Sequence, residues 1–266
     1  MTVFVGQVSF WGGSPVEIYF MEIISFGVGG RMEECVSRLR EACPSVCRVQ
    51  RLIVLPIPTT KDGKLVTGTH ITLEDALCGV ERGTLVAGYG IPEEICCEVV
   101  RRGGVLYDAS LDEEFLEENA ELTAVGAVAR LICAERRSPR DMHIGVVGFG
   151  RIGKRLVRYL LFFGARVRIY SGNREVLGSL QSLGVEGCEY GELSNIGELD
   201  LVINTAPKRL IRESDVTEES GVRIIDLASG NVLLGVPRVE KMPSVPSEMF
   251  PVSAGRAYAE RILSKV

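Results

Sequence analysis

Apolar residues along this chain fall into two alternating rhythms. Short continuous runs, four or five residues long, are separated by stretches with apolar positions every third or fourth residue. The first pattern is that of buried strands, the second that of amphipathic helices. In the first half, strands are expected at Ile23–Phe26, Leu52–Leu55, Thr84–Ala87 and Val105–Tyr107. Helices are expected at Arg31–Ala42, Leu73–Val80 and Glu93–Arg102, and a long one rich in small residues at Glu118–Glu135. The run Arg136-Arg137-Ser138-Pro139 breaks that helix. The second half restarts the rhythm with strands His143–Val147, Arg166–Tyr170, Leu199–Ile203 and Val222–Asp226. Helices are expected at Ile152–Phe163, Arg174–Leu183 and, closing, Ala254–Leu263, with a proline-rich loop over Pro237–Pro251.

Strand–helix alternation predicts parallel sheets with crossover helices. The expected fold is α/β: two Rossmann-like doubly wound domains with an interdomain cleft. Residues 21–137 with the closing helix 253–266 make the first domain, and 138–252 the second. Residues 1–20 read as an N-terminal extension, because Met21 opens the first strand-like run and is a possible natural start.

Composition narrows the function. The 266 residues are 46% hydrophobic and 24% charged, which argues against disorder. A formal net charge of -5 lacks the electrostatic attraction that nucleic acids require. Thirty glycines in so apolar a chain suit an α/β enzyme with tight loops. The eight cysteines include no CxxC, and His70 and His143 are the two histidines, so neither a disulfide framework nor a metal site is expected. No stretch suits a membrane span, and a cytoplasmic protein with reduced thiols is the expectation.

One motif carries chemistry. Gly148-Phe149-Gly150-Arg151-Ile152-Gly153 follows an apolar strand and opens a helix. That is the setting a dinucleotide-binding fingerprint requires. Gly148 allows the tight turn, Gly150 leaves room for a pyrophosphate, and Gly153 lets the helix pack on the strand. The next strand ends in Ser171-Gly172-Asn173-Arg174, with no acid before Glu175. An acid there would accept the ribose 2′-hydroxyl of NAD. Ser171, Asn173 and Arg174 suit a 2′-phosphate instead, so NADP is expected over NAD. Two more loops at strand C-termini complete the expected cofactor site. They are Asn204-Thr205-Ala206-Pro207 and, after Asp226, Leu227-Ala228-Ser229. Asp226 is expected to orient its loop.

With these residues in view, the chain resembles the dipicolinate synthase A family, of the D-2-hydroxyacid dehydrogenase-like kind. The resemblance rests on Gly29-Gly30-x-x-Glu33, Leu55-Pro56-Ile57-Pro58-Thr59-Thr60-Lys61-Asp62-Gly63 and Asn119-Ala120-Glu121-Leu122-Thr123-Ala124-x-Gly126-Ala127. It extends through Gly148–Gly153, Asn204-Thr205-x-Pro207, Asp226-Leu227-Ala228-Ser229 and Pro251-x-Ser253-Ala254-Gly255. It implies a nicotinamide-dependent step from the product of dihydrodipicolinate synthase to dipicolinate in sporulating bacteria. It also implies a flavoprotein-like partner, the second polypeptide of dipicolinate synthase. A homo-oligomer is also expected. Leu122, Val125 and Val252 depart from the family pattern, as does Asn231-Val232-Leu233-Leu234 where Pro-Gly-Gly is usual.

Oxidation of a hydroxyacid would need a late histidine, and neither histidine lies there. Aromatising a cyclic dicarboxylate needs less acid/base help but does need carboxylate anchors. Thr59, Thr60 and Lys61 follow a strand-ending proline turn. Asn119 and Thr123 share a helix face. Ser253 and Gly255 mark the start of the closing helix. A rival reading is a non-catalytic NADP- or partner-binding protein with a decayed substrate site, and a third is a dehydrogenase of another small carboxylate.

Overall fold

The computed structural model describes residues 21–42, 49–182, 185–217 and 220–266. In chain order the elements are β1 (Glu22–Ser25), α1 (Gly30–Ala42), β2 (Arg51–Val54), α2 (Leu73–Ala76), β3 (Thr84–Gly88), α3 (Glu93–Arg101) and β4 (Val105–Asp108). Then come α4 (Glu113–Ala134), β5 (His143–Val147), α5 (Arg151–Phe162), β6 (Arg166–Tyr170), α6 (Arg174–Ser182), β7 (Glu186–Cys188) and β8 (Leu201–Asn204). Last are β9 (Arg223–Asp226), β10 (Val239–Lys241), α7 (Val245–Met249) and α8 (Pro251–Leu263). The expected extension at 1–20 lies outside the described residues, as do Cys43 and Cys47. The six described cysteines are free thiols. No helix among the described residues is long and apolar enough to cross a membrane.

The chain forms two compact units. One runs up to Asn119 and takes in Phe250–Val266; the other is Ala120–Met249. The sequence break at Arg136–Pro139 thus falls inside the second unit. The reason is the apolar face of α4. Ala124, Ala127, Val128 and Leu131 are buried with Ile144, Val146, Leu156 and Leu160, so most of the helix packs with the second sheet.

The first unit holds a four-stranded parallel sheet in the order β1-β2-β3-β4. Side chains alternate between its faces, as a pleated strand requires. Leu52, Val54, Leu85 and Ala87 pack with Leu39 of α1 and Tyr258 and Ile262 of α8. Ile53, Leu55 and Val86 pack on the opposite side with Leu73, Leu77 and Val99. Gly255 brings α8 close to α1. A Cβ there would meet Arg31 O at 2.5 Å and Cys35 N at 2.9 Å.

The second unit holds a six-stranded parallel sheet in the order β10-β9-β8-β5-β6-β7. The chain leaves β5 in one direction to β6 and β7, then returns to its other side for β8, β9 and β10. That reversal is the switch point where open α/β sheets bind ligands, beyond the strand C-termini.

The observed elements depart from the expected ones at a few ends. α4 begins at Glu113, five residues early, because Asp112 Oδ1 accepts from the N–H groups of Glu114 and Phe115, both at 3.1 Å, and so caps it. α8 begins at Pro251, a residue suited to the first helical position. β8 begins at Leu201, because Leu199 closes a 3-10 stretch with its N–H on Ile196 O. The proline-rich segment is more than a loop: it contains β10 and α7.

Candidate functional site

In the second unit, β5 ends in a turn whose geometry depends on glycine. Gly148 has φ +95°, a conformation that favours glycine over every other residue. Gly153 lies against Gly148 O so closely that a Cβ would overlap it. Thr205 Oγ1 braces the same turn, donating toward Val147 O (3.1 Å) and Gly148 O (3.3 Å).

Gly150 is different. It stands at the N-cap of α5 with φ -83°, and nothing lies within 4 Å of a Cβ built there. Among the described residues, no side chain caps α5 at this end. The first-turn N–H groups of a helix have no intrahelical acceptor, and the helix dipole adds partial positive charge there. Open space over an uncapped helix start is what a pyrophosphate fits. Arg151 and Ile152 follow in the first turn; Ile152 is half-buried against the core, and Arg151 is exposed.

The neighbouring loops are held by a buried polar network. Asn204 is fully buried and donates through Nδ2 to Asp226 Oδ1 at 2.8 Å and to Ala206 O at 3.3 Å. Its Oδ1 accepts from Ala206 N–H at 3.2 Å. Asp226 Oδ1 also accepts from Ala228 N–H at 3.1 Å. Asp226 is 1% exposed. It therefore ties the β8 and β9 loops together and faces no solvent, in line with its expected orienting part. Leu227 and Ala228 are buried, Pro207 is exposed, and Ser229 is exposed at the tip of the loop.

The loop after β6 is more occupied than the sequence implied. Ser171 is buried and its Oγ accepts from Asn173 N–H at 3.2 Å. Asn173 Oδ1 caps α6 by accepting from Glu175 N–H (2.9 Å) and Val176 N–H (3.3 Å). Arg174 Nε pairs with Glu189 at 3.0 Å. Glu189 follows β7, a strand the sequence pattern did not reveal. A carboxylate thus stands beside the ribose-recognition loop, although none is close in sequence.

Each unit holds one of the two histidines. His143 opens β5 at the end of the strand opposite the glycine turn, with Nε2 3.5 Å from Glu186. Burial and the nearby Arg168 lower its pKa. His70 is exposed in the β2–α2 connection of the first unit.

The residues expected to anchor substrate carboxylates are distributed as follows. Thr59 does not face outward: it is 0% exposed, and its Oγ1 accepts from Tyr89 N–H at 2.8 Å. Burial makes it a brace between the β2 and β3 loops. Thr60 organises a turn, donating to Asp62 Oδ1 at 3.1 Å and accepting from Gly63 N–H at 3.0 Å. Lys61 is exposed beside it. Thr123 is buried in α4 within the second unit. Ser253 is exposed in the first turn of α8. Gly255 does not open that helix; it sits a turn further in, where it allows the α1–α8 approach.

Asn119 brings to light a residue the sequence reading passed over. Its Oδ1 accepts from Arg31 Nη2 at 3.0 Å. Arg31 is 6% exposed at the start of α1. Desolvation brings its guanidinium down to a pKa of about 10. Arginine at a helix start ordinarily reads as a solvated residue, so nothing in the sequence marked it.

Residues 126–232 match the family model described as D-isomer specific 2-hydroxyacid dehydrogenase, NAD binding domain. The glycine turn, its open helix start and this match together define an NAD(P)-binding domain. In fold the chain is similar to dipicolinate synthase A from Bacillus halodurans, with a TM-score of 0.74 and 19% identity over 91% of this chain and 96% of that one. The dipicolinate synthase A chain from Bacillus subtilis gives a TM-score of 0.73 at 18% identity, over 93% and 95% of the two chains. The transhydrogenase from Sinorhizobium meliloti gives 0.60 at 17% identity, over 92% and 93%. At such identities the likeness is one of fold. In sequence, 47 residues are 43% identical to a D-specific alpha-keto acid dehydrogenase of Enterococcus faecalis. That stretch is 18% of this chain and spans 15% of the relative's length.

Proposed function

We propose that this chain is a nicotinamide-dependent oxidoreductase of the dipicolinate synthase A kind, oxidising the product of dihydrodipicolinate synthase to dipicolinate in sporulating cells. The observation that carries this reading is the fold likeness to two dipicolinate synthase A chains across more than nine-tenths of each pair. His143, the histidine of the second unit, lies at the far end of β5 from the glycine turn, which agrees with that reading. Forming an aromatic ring asks less of a protein acid/base than oxidising an alcohol does.

In this reading the α5 N-terminus and Gly150 hold the cofactor pyrophosphate, and the Asn204–Asp226 network fixes the loops beside the nicotinamide ribose. The bound nicotinamide supplies the hydride acceptor. The chain's own part is to hold the ring and its carboxylates still against that acceptor. A cytoplasmic setting, a flavoprotein-like partner protein and a homo-oligomeric state complete the proposal. The deciding assay gives purified protein, with and without that flavoprotein-like partner, the dihydrodipicolinate synthase product and NADP. Ultraviolet absorbance of the dicarboxylate should grow. Dinucleotide binding without turnover in every pairing would instead favour a non-catalytic binding protein, which the departures at Leu122, Val125 and Val252 support.

NADP is the preferred cofactor in this proposal. Arg174 is exposed, and its pairing with Glu189 is of the weak, exchangeable sort. A 2′-phosphate can compete for the guanidinium. Arg174→Ala should weaken NADPH about three- to tenfold and leave NADH within about twofold, as loss of one screened charge-assisted contact predicts. Titration of both cofactors by fluorescence checks this, and equal losses for the two would remove the preference.

A further inference from the structure

Among the described residues, a buried guanidinium of the first unit has no anionic partner. Arg31 Nε is buried with no hydrogen-bond partner among the described residues, while Nη2 reaches Asn119. The groups that act on it electrostatically are Tyr258, Cys35 and Tyr89, none of them a carboxylate. Glu33 and Glu34 follow in the same turn, yet neither pairs with it among the described residues. Burial also holds the Cys35 thiol up at about 12, so it supplies no counter-charge at neutral pH. An unpaired buried cation is costly to a fold, and proteins pair such charges or do without them.

Two helix starts meet beside it. A Cβ at Gly30 would meet Pro251 Cβ at 2.8 Å, so α1 and α8 begin side by side. Each is 13 residues long, and both point their free N–H ends to this place. Phe250, at the N-cap of α8, provides no side-chain cap. The site therefore combines two helix starts, a half-satisfied guanidinium and the Asn119 amide.

We propose that Arg31, oriented by Asn119, binds a carboxylate of the substrate, with the N-termini of α1 and α8 adding positive potential. The inference rests on the function proposed above only for which carboxylic acid is bound. A planar ring dicarboxylate presents one carboxylate to the guanidinium fork and leaves the second for other groups.

The test measures binding of pyridine-2,6-dicarboxylate, with pyruvate and oxalate beside it, by calorimetry and thermal shift on the full chain. Wild type is compared with Arg31→Met and Arg31→Lys. For Arg31→Met, carboxylate affinity should fall at least about tenfold, the effect of losing a charged hydrogen-bond donor. NADPH affinity should stay unchanged, and the ligand-free thermal midpoint should hold or rise, because an uncompensated charge has gone. A merely structural arginine would give the opposite midpoint shift. Arg31→Lys keeps the charge and loses the fork, so it should weaken the dicarboxylate by about fivefold or more with little change in midpoint. It decides the matter if Arg31→Met folds poorly. Dicarboxylate binding that is indifferent to both substitutions would overturn the inference and leave the proposed function standing. Arg31-dependent binding of pyruvate or oxalate, with no response to the dicarboxylate, would uphold the inference and remove the proposed substrate. No response of the wild type to any of the three carboxylates would also overturn it.

Discussion

Gly150→Val is expected to remove dinucleotide binding while leaving the folded chain almost as stable as before. Two observations separate these effects. The backbone at Gly150 has φ -83°, which any residue adopts, and a Cβ there meets nothing within 4 Å. Stability should therefore move by no more than about 0.5 kcal/mol, as at an unstrained open position. The same open space is where a pyrophosphate must approach the N–H groups of α5. A branched side chain there holds the phosphate off, and NAD(P)H affinity should drop by about a hundredfold, the scale of losing two charge-assisted hydrogen bonds. Cofactor titration and a thermal melt on one preparation check both halves. The neighbouring glycine gives the control. Gly153→Val drives its Cβ into Gly148 O, so there stability itself should fall, by about 3 kcal/mol or more. Tight NADPH binding by Gly150→Val would show that α5 is not the cofactor's seat.

Asp226→Ala should be the most damaging polar substitution in the second unit. Its carboxylate is 1% exposed and accepts from both Asn204 Nδ2 and Ala228 N–H. Lys241 Nζ lies 4.0 Å from its other oxygen. Removing it strands two buried N–H donors, and the cost should be about 3–5 kcal/mol, as when one partner of a buried charged network is deleted. Asp226→Asn keeps the size and one acceptor, and should recover roughly half of that. Urea unfolding gives the values. A loss below about 1 kcal/mol for the alanine variant would mean that the Asn204 loop stands without this tie.

What the sequence made legible follows physical range. His143–Val147 and Arg166–Tyr170 were readable to the residue because each is an interior strand whose last four residues are all buried. Glu186–Cys188 and Val239–Lys241 escaped notice because each is a three-residue edge strand containing charge or glycine. The loss of β7 had a further effect: Glu189 follows it and arrives beside Arg174 only through the sheet. Local spacing could not report a carboxylate brought in by tertiary pairing. The glycine turn was legible because its requirements are local: a positive φ, a close approach and an open helix start. Arg31 was not, because its peculiarity is burial beside Asn119, 88 residues away. Thr59 erred in the opposite sense. Its polarity and place after a strand suggested a ligand, and only its zero exposure shows the hydroxyl spent on Tyr89.

The return of α8 to the first unit bears on how the chain assembles during synthesis. The second unit, Ala120–Met249, is continuous, and every strand of its sheet has left the ribosome once Met249 has emerged. The first unit began earlier and finishes later. Tyr258 and Ile262, both 0% exposed, fill the face of its sheet that α1 also covers, and the Tyr258 hydroxyl donates to Leu55 O at 3.2 Å. Until α8 is made, that face and the α1 groove that receives Gly255 stay open to water. The unit translated first is thus the one completed last, and the vulnerable interval of the nascent chain belongs to its N-terminal half.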